Sequence, residues 1–165
     1  MPFLYKFLFM GNNIKKERRF YMVEQDTIRL LRECDAGVKM GISSIEDVLD
    51  DISNKNFKDR LTMAKEEHCV IDGKLEKLLN KYQDEGKEPN MMAKGMSWIK
   101  TNVMMTMNNS DETVADLITD GCNMGVKTLN KYLNKYKAAD EESKEITKEL
   151  IKSEDTLATD IRLYL

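Results

Sequence analysis

The single histidine of this chain, His68, stands four residues before Asp72, so on a helix both side chains share one face and could chelate a divalent cation. Glu154 and Cys122, far along the chain, supply further donors of the types that hold iron, zinc or manganese. Asp35 is a fifth candidate, as a ligand or as the outer partner that fixes an imidazole tautomer. The same residues also admit a metal-free arrangement. Burying a charge is costly unless it is paired, so a lone histidine in a core commonly satisfies itself against a carboxylate across the bundle.

Long helices must position these groups. Ile28, Leu31, Asp35, Val38, Ile42, Ile45, Leu49 and Ile52 step by three and four, as do Phe57, Leu61, Ala64, His68, Ile71, Leu75, Leu78 and Tyr82. Unbroken heptads of this kind specify helices packed side by side, and Asp35 and His68 are the polar residues within the two seams. The first helix is expected from about Asp26, a good N-cap, to about Ser53; the second runs from about Asn56 to Glu85 and stops at Gly86. So short a link forces an antiparallel hairpin. Its register puts Ile42 near His68 and Asp35 near Leu75, which separates Asp35 from His68 by roughly 10 Å at about 1.5 Å per residue.

Pro89 suits the first turn of a third helix reaching about Met107. With Met91, Met92, Met96, Trp98, Ile99, Val103, Met104, Met105 and Met107 it is apolar nearly all round, so it must be covered on several sides. A second copy of the chain would cover it; so would a hydrophobic ligand or partner helix in a Met-lined groove. Ser110 caps a fourth helix, about residues 111 to 137, whose Gly121, Cys122 and Gly125 strip bulk from its middle and let a helix or a bound group approach. Asp140 caps a fifth, running towards Tyr164 with Ile146, Leu150, Leu157 and Ile161 inward and Ser153 and Glu154 interrupting the stripe. Asp116, Asp120, Asn123, Lys127, Asn130 and Asn134 form a solvated face.

Two prolines and eight glycines in 165 residues, with 33% charged side chains, fit an all-α chain. The net charge is −3, but residues 1 to 21 carry five bases and one acid, so the remainder stands at −7. An acidic bundle without a basic face excludes nucleic acid as a partner. Cys34, Cys69 and Cys122 are odd in number and lack CxxC spacing, which reads as reduced thiols of a cytoplasmic protein. Lys6 interrupts the apolar run MPFLYKFLFM, which is too short to span a bilayer, so no integral membrane segment is expected. Arg18-Arg19-Phe20-Tyr21-Met22 back-translates to AGGAGG, a six-base spacer and ATG, a bacterial ribosome-binding site before a start codon. Residues 1 to 21 are therefore expected to be a non-native or disordered extension, and residues 22 to 165 a single domain. No nucleophile stands beside His68 in a catalytic arrangement and no Gly-rich phosphate loop occurs, so nothing in the chain looks built for turnover.

Met96-Ser97-Trp98-Ile99-Lys100, followed about twenty residues on by Asp120-Gly121-Cys122-Asn123-Met124-Gly125-Val126-Lys127, resembles an uncharacterised bacterial ferritin-like family known as a domain of unknown function, over roughly residues 26 to 164. The resemblance implies a ferritin-like antiparallel four-helix bundle with an extra apolar crossover helix, and it names no activity. Di-iron members of the wider group use a Glu from each of two helices and a Glu-x-x-His from each of the other two. Here Lys65 stands three residues before the only histidine, Leu157 three after Glu154, and Cys122 where a carboxylate would be presented. The expected protein is thus a non-enzymatic, homodimeric bundle, structural or stress-associated, with a vestigial or single-metal site. The alternative is an interaction module of spore-coat-like kind that binds a partner through the Met-rich helix. An iron-dependent oxidoreductase would need ligands this set lacks.

Overall fold

The heptad seams build the first hairpin as their spacing requires, although its boundaries move. A computed structural model describes residues 3–88, 99 and 110–165, with side chains described from residue 14 onward. Its helices are α1 (Phe3–Glu46), α2 (Lys55–Lys81), α3 (Asp111–Lys135) and α4 (Glu141–Asp160), with single 3-10 turns at Leu49–Asp51 and Arg162–Tyr164. The expected third helix, Pro89 to Met107, lies outside the described residues except for Ile99, which is buried in the core.

Asp26 does not start α1, which continues unbroken on its amino-terminal side. The reason is that its carboxylate is engaged elsewhere: it accepts the Ala138 N–H at 3.1 Å, and Thr27 Oγ1 accepts the Asp140 N–H at 2.8 Å. These side chains cap the turn between α3 and α4 instead of their own helix. The first helix also ends seven residues before Ser53, because Val48 and Ile52 turn inward through the 3-10 segment. The amino ends of the others are capped by side chains. Asn54 accepts from Phe57 N, Ser110 from Thr113 N and Asp140 from Ser143 N.

These contacts fix the direction of every helix. Asp111 accepts the Ser53 and Asn54 N–H groups at 2.8 and 2.7 Å, so α3 begins at the end where the first hairpin turns. Tyr82 donates to Asp140 at 2.7 Å, so the second hairpin turns where α2 ends. Helices α2 and α3 therefore run the same way, and α3 begins at the end of the bundle opposite the one where α2 stops. Helix α2 packs on α4, and α1 packs on both α3 and α4.

Two apolar clusters fill the interior. One, with Ile45, Phe57, Leu61, Ile99, Ile118 and Leu157, lies towards the turn of the first hairpin, and Tyr164 stacks on Phe57 with ring centroids 4.5 Å apart. The other, with Leu30, Val38, Ile71, Leu75, Leu129 and Leu150, lies towards the turn of the second.

Helix α2 ends earlier than Glu85, and the residues that follow strap back onto α1. Gln83 and Gly86 both take positive φ, 55° and 79°. Asp84 forms a two-pronged ion pair with Arg32 at 2.9 and 2.6 Å, Lys87 pairs with Glu33 at 2.7 Å and Glu88 with Lys39 at 2.9 Å. Buried Asp35 holds the centre of this strap, accepting the Lys87 N–H at 2.8 Å and the Lys39 ammonium at 3.2 Å. A Cβ on Gly86 would collide with Asp35 Oδ2, whereas one on Gly73, within α2, would meet nothing within 4 Å. Gly86→Ala is expected to lower stability by about 2 kcal/mol, and Gly73→Ala to raise it by about 0.5–1 kcal/mol. Urea unfolding midpoints measure both; equal midpoints for the two variants would show that the strap does not hold this geometry in solution.

Candidate functional site

Between the two apolar clusters lies one polar layer. Stepping along the seams, α2 places His68 between Ala64 and Ile71, and α4 places Glu154 between Leu150 and Leu157. At the same level α1 and α3 contribute Gly41 and Gly125, and these leave the space that the polar side chains fill. A Cβ on Gly41 would come 2.9 Å from the His68 ring, and one on Gly125 would lie 3.6 Å from the Glu154 carboxyl carbon.

His68 is 1% exposed and Glu154 9%. His68 Nδ1 donates to the Ala64 carbonyl at 2.8 Å, four residues back on its own helix. Nε2 faces Glu154 Oε1 at 3.1 Å. A carbonyl only accepts, so Nδ1 carries a hydrogen, and a second proton between Nε2 and the carboxylate completes the layer. With that proton the pair has no net charge, which is what a site flanked by two hydrocarbon clusters requires. Burial by itself pulls the imidazole pKa down, but the Glu154 hydrogen bond and charge, the Ala64 carbonyl and the Glu67 charge outweigh it and hold it above the ordinary 6.5.

Cys122 joins this layer from α3. Its thiol is buried, and burial followed by the Glu154 charge drives its pKa far up, so the sulfur keeps its proton. Cys34, buried and 3.2 Å from Thr147 Oγ1, is likewise pushed up to about 12, chiefly by burial. Cys69 is exposed, and all three cysteines are free.

Five expected site residues thus fall into two groups. His68, Glu154 and Cys122 come together. Asp35 and Asp72 lie apart from them in the strap region: Asp72 is held above the usual carboxylate range by burial, then by the Asp35 and Glu76 charges, and one of its oxygens is buried without a hydrogen bond. His68 and Asp72 share a face of α2, but both imidazole nitrogens are turned elsewhere, to Ala64 and to Glu154 across the bundle. Among the described residues no group of three or more His, Cys, Asp or Glu side chains is arranged to hold a metal ion.

Gly41 was not among the expected residues, which set Ile42 opposite His68. The available signal was the pair of glycines four apart beside the first seam, Gly37 and Gly41, matched by Gly121 and Gly125 in α3. These four glycines border a cavity of about 370 Å³ between α1 and α3, with His68 and Glu154 in its wall. No family model, no curated protein and no solved structure matches this chain.

With one histidine in the chain, its imidazole proton resonance reports the layer without overlap. It is expected to titrate above pH 6.5, and in Glu154→Gln, where burial is no longer opposed by a carboxylate, below the wild-type value. Because the folded pKa is raised, the stabilisation is fully present below about pH 6.5 and is lost as pH rises through the folded value. A wild-type titration at or below 6.5, or a stability that does not fall in that window, would contradict the shared proton. Gly41→Ala is expected to destabilise by about 1–3 kcal/mol by driving the ring off Glu154, and thermal unfolding checks it.

Proposed function

We propose that this chain is a non-enzymatic, ferritin-like bundle in which a buried imidazole–carboxylate pair stands where di-iron relatives carry their metal ligands. The observation that carries the reading is the composition of the polar layer: Gly41, His68, Gly125 and Glu154, one residue from each helix. A di-iron centre needs inward carboxylates from all four helices and two imidazoles. At this level two helices offer hydrogen atoms, and the remaining acid and base satisfy each other. The helix directions support the ferritin-like assignment: two antiparallel hairpins, with α3 beginning at the end of the bundle opposite the one where α2 stops.

On this reading the protein is a small structural or stress-associated protein of the cytoplasm. Among the described residues no helix is long and apolar enough to cross a membrane. The homodimer and the partner-binding alternative both rest on the Met-rich stretch between Pro89 and Met107. Ile99, its one described residue, is buried with Ile45 and Ile118 in the bundle's own core, which favours use of that stretch within the chain. Light scattering tests the homodimer directly.

Metal analysis tests the central claim. Protein purified without chelator, then incubated with iron(II), zinc or manganese and desalted, is expected to retain metal well below stoichiometry, with no difference between wild type and His68→Ala. One equivalent of metal lost in His68→Ala would establish the single-metal site instead.

A further inference from the structure

We infer that the cavity between α1 and α3 is a binding site for a small, neutral, largely apolar molecule that carries one N–H or O–H donor. Its volume of about 370 Å³ falls in the range of small-ligand sites. It is open to solvent on one side, and walls built from Met40, Leu117, Leu129 and glycine give water few partners. Met124, half exposed, stands at its edge and marks a way in.

The charges around the cavity select the ligand. Among the described residues, the acids and bases that line it are Glu33, His68, Lys87 and Glu154, and they are paired, Glu33 with Lys87 at 2.7 Å and His68 with Glu154 at 3.1 Å. A charged ligand would enter unaccompanied into a lining that is already neutral, whereas a neutral one loses nothing. Glu154 Oε1 lies 3.7 Å from the points where side chains at positions 41 and 125 would begin, so it looks into the space the two glycines clear. A carboxylate offers about four acceptor positions, and His68 Nε2 uses one of them. The remainder can accept one donor from a ligand.

The probe is N-phenyl-1-naphthylamine, a neutral aromatic amine with a single N–H whose fluorescence rises in apolar surroundings. The full chain is expected to bind it saturably at one site, and to bind its N-methyl derivative at least five-fold more weakly. Gly37→Leu places a side chain where nothing lies within 4 Å of the new Cβ; it is expected to fill the cavity and weaken the probe at least ten-fold without lowering the unfolding temperature. Absence of saturable binding would overturn the proposal, as it would if the chain's own apolar residues between 89 and 109 occupy the space. Binding indifferent to N-methylation, or to Gly37→Leu in a folded variant, would overturn it too. The inference rests on Glu154 being free of metal: a metal-loaded protein that ignores the probe fails both readings, and a metal-free protein that ignores it fails this one alone.

Discussion

A proton shared between His68 and Glu154 is the constraint around which the bundle is arranged. Neither group tolerates a hydrocarbon interior alone, and each is made tolerable by the other across the α2–α4 interface. The pair needs room that a seam of leucines would not leave, and the room comes from Gly41 on α1 and Gly125 on α3. Each glycine weakens its own helix by roughly 0.5–1 kcal/mol relative to alanine. That cost is outweighed if the pair is kept, because removing one member of a buried pair costs about 3–5 kcal/mol. The four residues therefore act as one unit, and no single one of them can be exchanged without changing what the others experience.

The unit also sets alignment. A hydrophobic seam can slide by one heptad with modest loss, since one apolar residue replaces another. A buried imidazole that slid by a heptad would leave Glu154 without its partner and would set a full side chain of α1 against the ring. The layer thus ties α2 to α4, one helix from each hairpin. The strap does related work at the far end, where Asp35 gathers the Lys87 N–H and the Lys39 ammonium onto α1, and Asp111 does so at the near end through Ser53 and Asn54. Polar contacts at three levels hold apolar clusters that by themselves specify little about register.

The all-helical architecture and its antiparallel hairpins were legible because heptad spacing and cap residues are local signals. Ser110 and Asp140 begin their helices where a side-chain cap predicts. Asp26 was misleading for a reason no local rule contains: its carboxylate caps a turn more than a hundred residues away. The site was legible in part. A single polar residue in each seam pointed to Asp35 and His68, and an interrupted stripe pointed to Glu154. The choice of partner was not, since His68 has Asp72 on its own face and only the packing of α2 on α4 decides for Glu154. Gly41 was missed because a glycine is conspicuous only through the side chain that occupies its space, and that side chain belongs to another helix.

The groups of the layer are held in ways that also make it a good core. A general base must present a free lone pair to a substrate near neutral pH, but both nitrogens of His68 are committed to Ala64 and Glu154. A nucleophilic thiol must ionise, but Cys122 is buried beside a carboxylate that keeps its proton in place. What the layer retains is acceptor capacity on one carboxylate at the edge of an apolar cavity.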